Sequence, residues 1–127
     1  MSLLSEINII KNIKILTYEE YNEKTYFGKI KTEPLFDYTN YQWLSDWFKD
    51  NASYIWEDEI SFLTKQNIID FIDFCKSENI FEIINESFED WKFIYKIKEN
   101  YINDIINKFS KLLDIDFENN TIIYQEF

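Results

Sequence analysis

Pro34 is the only strong structural breaker in this chain of 127 residues, and Gly28 is its only glycine. No Gly/Ser linker, repeat or low-complexity tract divides the rest, so the fold has to be organised by the spacing of apolar residues. Pro34 pushes Glu33 away from helical geometry and marks one boundary. The length is that of one domain, expected to span 1–127, and the 46% hydrophobic and 20% aromatic content lets burial offset the entropy of ordering.

Residues 13–17, IKILT, alternate like a strand, and 25–31, TYFGKIK, is expected to pair with them as a hairpin; the preceding SLLSEINIIKNI reads equally well as a short helix. A helix is predicted over 39–51. There Tyr41, Leu44 and Phe48 share a core face with Trp47 at its flank, and Trp43, Asp46 and Asp50 fall on the opposite side. EISFL at 59–63 suits a strand, and 65–77 a second helix with Ile68, Phe71, Ile72 and Cys75 as its stripe. Cys75 is then a small buried hydrophobe. Ser87 and Asp90 read as a capping box opening a long third helix to about 113, with Trp91, Ile94, Tyr101, Ile105, Phe109 and Leu112 at helical spacing. After a turn at Asn119 and Asn120, the run to Phe127 suits a last strand. The expected class is α+β, a small, mainly antiparallel sheet packed with three helices.

Several chemistries are excluded by residue type. With no histidine, a Ser-His-Asp triad, a Cys-His pair and a histidine-ligated metal are unavailable, and one cysteine makes neither a thiolate zinc site nor an internal disulfide. One glycine cannot build a phosphate loop or a dinucleotide turn. DIDFENN, from Asp114, lacks the turn glycine and the terminal glutamate of a calcium loop. We therefore expect a protein that is not an enzyme and takes no cofactor or metal. No run approaches the length of a membrane span and no secretory leader is recognisable, so a soluble, cytoplasmic protein without membrane contact is expected. The excess of Ile, Asn, Lys, Phe and Tyr, with no Val or Arg, reads as the codon composition of an AT-rich genome.

Charge is distributed unevenly. Residues 33–90 carry 14 acids against Lys49, Lys65 and Lys76, which accounts for the whole net charge of −11; the two ends are balanced. The plain reading of such a run is a solvated surface that aids solubility. Aromatics interleave with these acids outside the predicted apolar stripes, however, and acidic surroundings with aromatic anchors suit a basic partner: charge accelerates encounter, buried rings supply affinity. The candidate partner-binding residues are Trp43, Asp46, Asp50, Tyr54, Trp56, Glu57, Asp58 and Glu59. Direct nucleic-acid binding is disfavoured, because phosphates would be repelled.

In size, AT-rich residue usage, acidity and lack of catalytic groups, the chain resembles the small anti-defence proteins of phages and mobile elements, anti-CRISPR proteins among them. The resemblance is one of general character; no family motif matches DYTNYQWLSDWFKDN, FLTKQNIIDFIDFCKSE or IIYQEF. It implies an inhibitor that works by protein–protein contact, occupying a basic, nucleic-acid-binding surface of a host defence protein, with carboxylate spacing deciding whether it acts as a nucleic-acid mimic. An immunity protein or antitoxin that neutralises a basic nuclease toxin would need the same surface.

Overall fold

The last strand in the sequence is a central strand of the sheet. In a computed structural model describing residues 3–28, 30–39, 41–87 and 99–127, the chain runs β1 (Leu4–Ile10), α1 (Tyr18–Tyr26), β2 (Glu33–Thr39), α2 (Gln42–Asn51), β3 (Ile60–Leu63), α3 (Lys65–Cys75), α4 (Ile80–Ser87), α5 (Glu99–Leu112) and β4 (Thr121–Glu126). The strands form one antiparallel sheet in the order β2-β1-β4-β3. The fold is α+β, with five helices among the described residues where the sequence predicts three.

Alternation sorts the side chains of the sheet. Ile7 and Ile9 of β1, Tyr38 of β2, Leu63 of β3 and Ile122 and Tyr124 of β4 face the larger core with α2, α3, α4 and α5. Phe48 lies at its centre, fully buried, its ring 4.6 Å from Tyr124, 4.9 Å from Phe71 and 5.9 Å from Phe109. The opposite face carries a smaller cluster, in which Ile10, Ile60 and Ile123 are covered by Ile15 and by Tyr21 of α1. Cys75 is buried in the larger core, as its stripe predicts, and burial pushes its thiol up to about 12.

The first third departs from expectation. SLLSEINIIKNI holds strand β1, while IKILT is irregular: Ile15 donates its N–H to Thr121 Oγ1 at 2.9 Å, and that hydroxyl donates to the Ile13 carbonyl at 2.8 Å. One side chain replaces the ladder that the alternation suggests. Thr17 then caps α1, accepting from Glu20 N at 3.1 Å, and Gly28 closes it with φ of 64°, where a left-handed residue is needed. TYFG is thus a helix end and its closing turn, and Ile30 and Lys31 are irregular. The strand lies further on, in β2, where Pro34 is accommodated at the sheet edge beside a bulge that steps the register from Ile7↔Phe36 to Asn8↔Pro34.

The middle elements follow the predicted periods. Thr64 and Asn67 form a capping box at the start of α3, with bonds of 3.0 and 2.9 Å. Ser87, expected to open the third helix, instead closes α4; Asp90, Trp91 and Ile94 lie outside the described residues. Replacing Phe48 with Ala should lower unfolding stability by about 3–5 kcal/mol, measured by urea denaturation, because the rings of Trp47, Phe71, Phe109 and Tyr124 pack around it.

Candidate partner-binding surface

Helix α2 presents three sides. Leu44 and Phe48 point into the core, and Trp43 and Trp47 lie against α3, with Trp47 5.1 Å from Phe71 and 6.0 Å from Phe74. Asp46 and Asp50 are exposed, and Asp46 accepts a bond from Gln42 Nε2 at 2.8 Å. Helical spacing sets Asp50 one turn past Trp47 and Asp70 one turn before Phe74, so these acids border the same α2–α3 seam. The third side carries Ser45 and Lys49 toward β4.

Trp43 does not belong to the surface. It is 3% exposed, its ring lies 6.0 Å from Phe71, and its indole N–H donates to the Tyr101 hydroxyl at 3.0 Å. The sequence expectation of an exposed Trp43 is corrected: α2 is flanked by α3 as well as by the sheet, so its apolar arc is wider than one stripe, and Trp43 closes it.

The other candidates sit on one turn. Ile55 and Ile60 pair across its base, with N–H to carbonyl bonds of 2.8 and 3.3 Å, and Trp56, Glu57, Asp58 and Glu59 form its exposed tip. Ser53 and Glu59 bracket it with φ of 50° and 56°, a left-handed conformation that costs non-glycine residues roughly 1–2 kcal/mol each. The tip is held from two directions. Asp58 faces α1, where its hydrogen bond is the largest influence raising the Tyr18 phenol above the usual range. Tyr54, half-buried, lies edge-on to Trp56 at 4.8 Å and donates its hydroxyl to Glu126 Oε2 at 3.0 Å.

Glu126 is the centre of this region, although it is 5% exposed. Its Oε1 accepts from the Ser45 hydroxyl and from Tyr124 at 2.6 Å; its Oε2 accepts from Tyr54 and is paired with Lys49 Nζ at 3.1 Å. Ser5 Oγ lies 3.1 Å from the Tyr124 hydroxyl and extends the network to β1. Burial alone would raise the Glu126 pKa, but the bonds from Ser45, Tyr124 and Lys49 outweigh it and hold the carboxyl below its ordinary value. Burial, followed by the neighbouring Glu126 charge, holds Tyr54 above the normal phenol range; burial and the hydrogen bond to Glu126 do the same to Tyr124. Four donors fill the carboxylate's acceptor capacity, so the group works as an internal tie. The Lys49 ammonium also lies 5.5 Å from the Tyr54 ring centre and 5.4 Å from that of Trp56.

Sequence reasoning missed Glu126, Lys49 and Ser45. Glu126 left a signal, because strand alternation puts it on the same face as Ile122 and Tyr124, where a carboxylate needs partners. The structure joins Tyr54, Trp56 and the three turn acids in one place, sets Asp46 and Asp50 on the neighbouring helix, and removes Trp43. Among the described residues, Glu33 alone of the acids in 33–90 has a lysine within salt-bridge distance, Lys11 at 2.9 Å. Among them, too, no three Asp, Glu or Cys side chains are placed to hold a metal ion, and no helix is long and apolar enough to cross a membrane. Compared with protein-family models, with curated proteins and with solved structures, the chain matches none.

Trp43→Ala should cost about 3–5 kcal/mol of stability, and Trp56→Ala under about 1 kcal/mol, measured side by side by chemical denaturation. Glu126 should make the protein acid-sensitive. Its folded-state pKa is depressed, so its contribution is complete above the unfolded value near 4.5 and is lost as pH falls through the lower folded value. The stability difference between the parent and Glu126→Gln, measured by urea unfolding across that range, should be large at neutral pH and shrink in acid.

Proposed function

We propose that this protein is a non-catalytic binding protein, an inhibitor of phage or mobile-element origin that covers a basic, nucleic-acid-binding surface of a host defence protein. The observation that carries the reading is Trp56. It is 67% exposed at the tip of a braced turn, and the three acids that follow it in sequence have no lysine within salt-bridge distance among the described residues. A large indole held in water at the end of an edge-on aromatic pair supplies the apolar area on which binding energy concentrates. Glu57 and Glu59 beside it, with Asp46 and Asp50 on α2, supply the field that steers a cationic surface toward it. The same field repels phosphates, so the partner is a protein.

The test is capture from a nuclease-treated bacterial host lysate on the immobilised protein, with Trp56→Ala and the double variant Glu57→Lys/Glu59→Lys in parallel. Asp58 is left in place because it faces Tyr18 of α1 and raises its phenol above the usual range. A basic nucleic-acid-binding protein should be retained by the parent, and Trp56→Ala should weaken that retention by about tenfold or more without lowering the melting temperature. Charge reversal and high salt should each slow its association. A captured set that is identical for the parent and both variants at low and high salt would overturn the reading.

A further inference from the structure

Lys49 is the one lysine of α2, and it stands among exposed carboxylates. Asp46 precedes it by three residues, within reach on a helix surface, and an unconstrained lysine there would pair with Asp46 or lean toward the turn acids. It does neither. Its ammonium is turned inward to Glu126 Oε2 at 3.1 Å and lies over the Tyr54 and Trp56 rings, which meet edge-on at 4.8 Å.

We propose that Glu126 is a positioning residue for the binding surface: by holding Lys49 inward it keeps Trp56 in its outward pose and cancels a positive charge that would otherwise offset Asp46, Asp50 and Glu57. The inference deepens the preceding reading of this face as a binding surface and rests on it for its meaning. The geometry separates this role from simple support of the fold. Ser45, Tyr124 and Tyr54 already give the carboxylate three neutral donors; Tyr54 and Lys49 both reach on to Trp56, and of the two Lys49 is the one that brings a positive charge. The ligand class follows. A side chain docking on the free face of the indole meets π density and carboxylates with the local cation neutralised, which suits an arginine or lysine of the partner.

The experiment needs no partner. The protein is labelled with 5-fluorotryptophan, the Trp56 resonance is assigned with Trp56→Phe, and its relaxation by a cationic nitroxide is compared with that by an anionic one. Glu126→Gln and Lys49→Met should each move the Trp56 resonance while those of Trp43 and Trp47 stay in place. Glu126→Gln should lower the cation-to-anion relaxation ratio at Trp56 by about twofold, and the double variant Glu126→Gln/Lys49→Met should return the ratio to that of the parent. An unmoved Trp56 resonance in both single variants, or an unchanged ratio in Glu126→Gln, would overturn the proposal. Should Glu126→Gln fail to fold, the parent decides: the Lys49 ε-methylene protons should be shifted upfield by the two rings, and a Lys49 signal like those of exposed lysines would overturn it. Because none of these readouts uses a bound protein, failure to capture a partner would count against the proposed function and leave this inference standing.

Discussion

A carboxylate buried to 5% exposure is costly unless its lone pairs are filled, and Glu126 fills them from three parts of the chain at once. Ser45 and Lys49 come from α2, Tyr54 from the turn, and Tyr124 from its own strand. Removing one partner of such a charged group costs about 3–5 kcal/mol because an uncompensated charge is left behind. Its value to the molecule is therefore geometric: it sets where α2, β4 and the turn meet. Packing alone leaves that choice loose, since apolar groups of the right volume accept several arrangements.

The topology makes this tie late. Strand β4 lies between β1 and β3, and β3 pairs with no other strand in the sheet. Pairings such as Ser5↔Glu126 span almost the whole chain, so the sheet cannot close until the C-terminal strand docks, and the loop entropy of that step precedes its reward. Helices α2 and α3 meet through local aromatic contacts, Trp47 with Phe71 and Phe74 among them. The turn that carries Trp56 is bonded to β4 through Glu126, so its final shape belongs to the completed sheet.

What was legible in the sequence follows from the same division. Elements whose burial is decided by their own period were readable: α2, α3, β3 and β4 lie within a few residues of expectation, and the stripe of Ile68, Phe71, Ile72 and Cys75 is buried. Elements decided by a distant partner were not. IKILT alternates like a strand, yet its backbone is met by the Thr121 hydroxyl; LSEINII is a strand because β2 and β4 lie on either side of it, which no local pattern announces. Trp43 lies outside a single helical stripe, yet α3 packs beside α2 and buries it, which the stripe alone does not announce. The candidate surface was half legible. Exposed acids beside Trp56 could be read from the turn, whereas the Lys49–Glu126 tie joins residues 77 positions apart and only the fold brings them together.

The acids themselves are divided by this architecture. Asp50 and Asp70 border the α2–α3 seam by helical spacing, Asp46 is exposed on α2, and Glu57, Asp58 and Glu59 sit at the exposed tip of the turn. At physiological salt the Debye length is about 8 Å, so exposed charges act on one another and on a partner mainly over distances of that order. A patch of this kind contributes little to folding and slightly opposes it by self-repulsion. The fold's stability has to come from the aromatic core around Phe48. With stability supplied there, a single lysine turned inward toward a buried glutamate tunes how negative the turn surface around Trp56 is, and that tuning is set from inside the protein.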